Sequence, residues 1–323
     1  MIDPQFTVDD IYQTTMQGLD ILPERYLPGN YFMYSPIIAA LLSPLGYLPY
    51  FGAKSILLFL NIIGYFSAIA LILKQIGRCT WRYFIPAVLF TWMPFIINFC
   101  GAQVNAFIFF LIAYAIHLAN RKKYATAGSM LGLAAMFKIF PLGIASILGF
   151  HNRNITIVCV MLFIISLVSP GTWQWFEAMP TVSAGHTPIY QFAQKHGIEW
   201  QLFFSFLIVT VSVFCLFKAK TNDLLILSAY SIPAVFVAMP IVQYHHLIIL
   251  TVTYIVFFYA NKIFKNSFKK LVIVITILHI NLSEFFEYLP SKYWSIFAIW
   301  IVLSWTLLKL EDLNITIDLK ILS

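Results

Sequence analysis

The chain reads as an all-α protein: a polytopic transmembrane helical bundle forming one membrane domain over residues 1–323. Three observations lead there. Of its residues 61% are hydrophobic and only 10% charged, against roughly 25% charged in a soluble globular domain. Apolar runs near the ~20 residues a spanning helix needs recur along the whole chain. The cations that interrupt those runs gather in short loops that can all face one side of a membrane.

Taken in order, residues 1–34 are a polar, acidic stretch without the basic-then-apolar pattern of a secretory signal peptide. Segment 35–49, SPIIAALLSPLGYLP, is apolar yet carries three prolines, so it reads as a re-entrant or interfacial element. The bundle occupies 52–309, with about nine full spans at 52–73, 83–100, 104–120, 154–170, 201–217, 223–240, 242–261, 270–288 and 292–309. Between the third and fourth lies 125–150, where two apolar stretches, each too short to span alone, are divided by Lys138 and Pro141. A broken hairpin of two short helices with Lys138 near its outer tip fits this pattern.

Charge orients these pieces. Lys74, Arg78, Arg82, Arg121, Lys122, Lys123, Arg153, Lys218, Lys220, Lys262, Lys265, Lys269, Lys270, Lys309 and Lys320 fall in loops and a tail, 310–323, that all become cytoplasmic. The other side receives segment 1–34, the loop 171–200 and the turn Gln243–His246. It also receives Asp3, Asp9, Asp10, Asp20, Glu24, Glu177, Glu199, Glu284 and Glu287, nine of the 13 carboxylates. With no helix ahead of it to carry segment 1–34 across, either that segment crosses by itself or the first helix of a longer gene product is missing, and the second is expected.

The formal charge of +7 does not form the stripe or arm that nucleic acid requires. Cys79, Cys100, Cys159 and Cys215 have no paired spacing and read as structural thiols. His186, His196, Glu177 and Glu199 in the long outer loop match no compact metal-ligand pattern, so no metal and no cofactor are expected. No internal repeat is visible.

Polar groups at membrane depth are costly and are therefore functional candidates. Lys138, beside a helix break, can hold a phosphate as a point charge or snorkel to headgroups. His245 and His246 head a span, where one can meet a phosphate or a sugar hydroxyl or bond to a headgroup. Gln103 and Asn105 open another span, and His117 and His279 lie within theirs. Asp9 or Asp10, in VDDIYQTTMQGLD, can act as a general base on an attacking hydroxyl.

Several blocks then resemble glycosyltransferase family 87. They are the N-terminal Asp-x-x-Tyr stretch, Tyr34-Ser35-Pro36 with the apolar run ending Tyr47-Leu48-Pro49, Gly101-Ala102-Gln103-Val104-Asn105, Ala127-Gly128, Leu131-Gly132-Leu133-Ala134-Ala135, Lys138-x-x-Pro141, and Pro240 with Tyr244-His245-His246. The resemblance implies a GT-C-like fold and a membrane partner. It also implies a polyprenyl-phosphate sugar donor, with mannose as the family's sugar, and a lipid or glycan acceptor. It puts the catalytic aspartate on Asp9 or Asp10, and Lys138 with His245 or His246 near the carrier phosphate. Gln103, Asn105 and Tyr34 would bind sugar or acceptor, or brace the first outer loop. Ala102 interrupts the family's Gly-Gln pair, and a single Pro36 stands where the family has two prolines. The competing expectations are a transporter or lipid flippase, and a truncated non-catalytic homologue.

Overall fold

The computed structural model describes residues 36–77, 81–100, 103–168, 187–219, 223–239, 242, 244–256, 274–277, 279–280 and 292–312. Among them every regular element is helical. The helices are α1 (Pro36–Leu42), α2 (Tyr50–Gln75), α3 (Trp81–Phe90), α4 (Trp92–Cys100), α5 (Asn105–Asn120), α6 (Tyr124–Phe137) and α7 (Phe140–Leu148). They continue with α8 (Arg153–Leu167), α9 (Pro188–His196), α10 (Glu199–Ala219), α11 (Leu224–Ala238), α12 (Thr251–Tyr254) and α13 (Lys292–Asp312). Two 3-10 segments, Ser43–Tyr47 and Tyr244–Leu250, precede α2 and α12.

Prolines decide where these helices end or bend, because each lacks an N–H and crowds the carbonyl four residues back. Pro44 leaves the Ala40 carbonyl without its helical donor, and the Ser43 hydroxyl donates to it instead at 2.8 Å. Pro94 interrupts the run 83–100 at Thr91, giving α3 and α4 in place of one span. Pro141 sits in the first turn of α7 and cannot extend α6, so Lys138 becomes the extended residue that ends it, with φ −149° and ψ 137°. Pro233 lies inside α11; the Ala229 carbonyl it strands takes a hydrogen bond from Thr253 Oγ1 at 2.7 Å.

The helices run back and forth between two ends. The Asn120 side chain bonds to Gln75, so α2 and α5 finish together. Rings of Tyr124 and His151 lie 5.6 Å apart, which closes α6 and α7 into a hairpin whose open end carries Arg121–Lys123 and Arg153. Phe107 and Phe137 meet at 5.7 Å, putting the start of α5 beside Lys138 at the opposite end. The last turn of α11 reaches that end too and is gripped from three sides. Its Val237 carbonyl accepts from Tyr293 at 2.9 Å and its Ala238 carbonyl from Ser205 at 2.7 Å and Gln201 at 3.2 Å. The Met239 carbonyl, next in the chain, accepts from Thr187 at 3.3 Å.

Large apolar side chains cover the outside. Phe59, Phe206, Phe217 and Met161 are all more than half exposed, the distribution expected where lipid rather than water is the solvent. Among the described residues two helices, over Phe51–Gln75 and Glu199–Lys218, are long and apolar enough to cross a membrane. The nine full spans expected from the sequence are not reproduced. Besides the break at Thr91, the run 242–261 opens as a 3-10 helix, and of 270–288 only 274–277 and 279–280 are described. Helices α5, α6, α8 and α11 hold 14 to 16 residues, about 21–24 Å against a hydrocarbon core of about 30 Å. Segments 1–34 and 310–323 lie wholly or largely outside the described residues, as does the first half of the loop 171–200.

Close helix contacts hold the Lys138 break in place. A Cβ at Gly128 would sit 2.6 Å from the Ile155 carbonyl oxygen, and one at Gly132 would sit 2.9 Å from Leu162 Cβ, so α6 lies directly on α8. On the other limb a Cβ at Gly143 would come within 2.7 Å of Val235 on α11. Overpacking such a seam costs about 1–3 kcal/mol. Gly128→Val is therefore expected to lower the thermal unfolding midpoint of the detergent-purified protein, while Gly46→Ala, in open space, leaves it unchanged; equal midpoints for both variants would refute the contact.

Candidate functional site

Lys138 owes its position to the break. Its backbone N–H still donates to Ala134, at 3.1 Å, but its extended ψ turns the chain out of α6 and starts α7 two residues later. The side chain, half-buried, ends with Nζ 3.2 Å from Nε2 of His246.

His246 comes from the 3-10 segment and is 4% exposed. Its ring is held between Phe140 of α7, at 5.9 Å, and Phe236 of α11, at 6.5 Å. The same segment is fixed further along, where the Thr251 hydroxyl lies 3.0 Å from that of Thr91 and 2.6 Å from the Ile248 carbonyl. Thr91 in turn shares a hydrogen bond with the Tyr65 hydroxyl. The α3–α4 break and α2 are thus tied through a chain of hydroxyls to the Ile248 carbonyl of the segment that carries the imidazole.

An ammonium has only donors, so the contact is a hydrogen bond when His246 Nε2 is unprotonated. Were both groups cationic at that distance, they would repel by about 5 kcal/mol at an effective dielectric constant of about 20. An anion set between or beside them removes that penalty. The pair is therefore suited to a group that carries negative charge or develops it.

The other expected residues divide. Gln103 is half-exposed, and its N–H donates to the Asn98 carbonyl at 2.9 Å. Asn105 is fully buried, and its Nδ2 donates to Asn98 Oδ1 at 3.2 Å. Both lie at the Lys138 end. Asp9, Asp10, Tyr34 and Gln243 are outside the described residues, as is the side chain of His245. His186 and Glu177 are outside them too, whereas the His196 ring lies tilted against Phe192 at 4.3 Å. Among the described residues no three His, Cys, Asp or Glu side chains gather as a metal site. His117 belongs to the opposite end, and His279 bonds to Ser295.

Sequence reasoning missed Asn61 and Asn98. Asn98 Nδ2 lies 3.5 Å from Asn61 Oδ1, and Asn61 donates back to Leu57 at 2.8 Å. With Asn105 they form a buried amide ladder from α2 through α4 to α5, which holds the turn that carries Gln103. The signal was present as a lone asparagine in each of two apolar runs, LFLNIIGYF and FIINFC.

Together these features define a class: an all-helical protein, over its described residues, with an apolar outer face and a lysine–histidine pair at a break between two short helices. A family model for glycosyltransferase family 87 matches residues 32–242, most of the chain, and the chain belongs to that family. It is a glycosyltransferase, as the resemblance of its sequence blocks implies. The match includes Lys138 and stops just before His246, so the pairing of the two is supplied by the fold. No curated protein and no solved structure matches the chain.

Removing the central rung of the ladder orphans amide groups on both neighbours, at about 1–3 kcal/mol for each buried group left unpaired. Asn98→Leu is expected to lower the unfolding midpoint more than Asn61→Leu, which leaves the Asn98–Asn105 bond in place. Comparable losses in the two variants would count against a linked ladder.

Proposed function

We propose that this glycosyltransferase moves a hexose, mannose in the first instance, from a polyprenyl-phosphate donor to a hydroxyl of a lipid or glycan acceptor. The protein works in this reading as a multi-pass component of the inner or plasma membrane, with its site at the extracytoplasmic face. The observation that carries the reading is the 3.2 Å contact between Lys138 and His246, in a chain whose family performs sugar transfer.

The chemistry follows from that pair. The acceptor hydroxyl attacks the anomeric carbon as Asp9 or Asp10 takes its proton. The bond from that carbon to the phosphate oxygen breaks, the configuration inverts, and polyprenyl phosphate leaves. Lys138 and His246 hold the charge that builds on the leaving phosphate, and they stand in place before it appears, which is electrostatic preorganisation. His245, on the same turn, is the alternative imidazole. Gln103 binds sugar or acceptor hydroxyls, with Tyr34 bracing the first outer loop and Asn105 bracing the turn behind Gln103. A phosphate is already a competent leaving group, so the mechanism calls on no metal or cofactor.

The test uses membranes expressing the protein, radiolabelled polyprenyl-phosphate hexoses and lipid extracts as acceptors. Of Asp9→Asn and Asp10→Asn, the one that removes the base is expected to cut transfer by about 10²–10⁴-fold with protein levels unchanged; full activity in both single variants and in the double would eliminate the base assignment. Lys138→Met is expected to weaken donor binding about 10–100-fold, the worth of a hydrogen bond to a charged group, with the acceptor KM unaltered. A matching loss for the acceptor would argue against a phosphate role.

A further inference from the structure

Helix α5 is buried except for one stripe. Phe107, Phe110, Tyr114, His117 and Asn120 are its half-exposed residues, and their spacing of three and four places them on a single face. Their rings form a column, with Phe107 to Phe110 at 6.4 Å, Phe110 to Tyr114 at 5.8 Å and Tyr114 to His117 at 6.3 Å. From His117 the column runs about 15 Å toward the Lys138 end, half the depth of a hydrocarbon core.

Cations collect at its foot. Arg121, one turn beyond His117, and Lys74, from the last turn of α2, both act electrostatically on the imidazole. The Asn120–Gln75 hydrogen bond brings together the two helix ends that carry these charges. Lys122 adds a charge from a left-handed turn with φ 61°. Among the described residues no carboxylate pairs with Lys74, His117 or Arg121, and Gln75 Nε2, buried behind them, has no acceptor. Neighbouring cations without a counter-charge call for an anion, and an aromatic wall leading away from them calls for a hydrocarbon chain attached to it.

We propose that the foot of α5 is a binding site for an anionic phospholipid of the adjoining leaflet. Its phosphate rests on His117, Arg121 and Lys74, and one acyl chain lies along Tyr114 and Phe110. This site is at the opposite end of the bundle from Lys138 and is independent of the sugar-transfer reading. Basic recesses between membrane helices recognise headgroups in this way, with each cation contributing severalfold to affinity.

The experiment is native mass spectrometry of the full chain released from phosphatidylcholine nanodiscs containing graded dioleoylphosphatidylglycerol. Wild type is expected to retain one phosphatidylglycerol, and Lys74→Gln and Arg121→Gln each lower its apparent affinity about fivefold. Tyr114→Ala, with all charges present, also lowers it, whereas Lys195→Gln at the far end does not. His117→Gln replaces Arg121→Gln should the latter fail to accumulate. Retention unaltered in the charge variants overturns the site. So does a loss as large in Lys195→Gln, which would mean diffuse attraction. Displacement of the lipid by glycerol phosphate at equal concentration overturns the lipid assignment in favour of a free phosphate.

Discussion

The structure depends on satisfying backbone carbonyls where water cannot. A buried C=O left without a donor costs about 1–3 kcal/mol, yet this chain places prolines inside or beside its apolar helices. It meets the demand with hydroxyls: Ser43 serves the carbonyl that Pro44 strands, and Thr253 the one that Pro233 strands. The breaks are thereby stable places where a polar side chain can be directed inward instead of along a lipid-facing surface.

Lys138 occupies such a break. It is brought to His246, 108 residues away in the chain, by packing rather than by any local motif. Gly128 and Gly132 let α6 lie on α8, Gly143 lets α7 lie on α11, and Phe140 and Phe236 then hold the imidazole in the remaining gap. Helices held at backbone contact fix the frame from which the ammonium extends. The charge stabilisation proposed for the pair depends on such a fixed frame.

Much of this was legible in the residues. Lys138 with Pro141 between two short apolar stretches specified the broken hairpin, because proline chemistry is local. The association of Lys138 with a histidine at 245 or 246 came from family resemblance, and among the described side chains it is His246 that lies against α7 and α11 beside Lys138. Span number was less legible, since an apolar run reports burial or lipid contact and not continuity. Pro94 splits 83–100, while 242–261 begins in a tighter helix than its composition suggests. The asparagine ladder escaped because each of its members stands alone in sequence, and only three-dimensional proximity shows that Asn61, Asn98 and Asn105 satisfy one another.

The grip on the end of α11 has a mechanical corollary. Three consecutive carbonyls there, from Val237 to Met239, receive hydroxyls and an amide from α13, from α10 and from the residue that opens α9. The chain then runs only a few residues before His246. That turn works as a keystone: α9, α10 and α13 all anchor on the last carbonyls of α11, the helix whose Phe236 also lies against the imidazole facing Lys138.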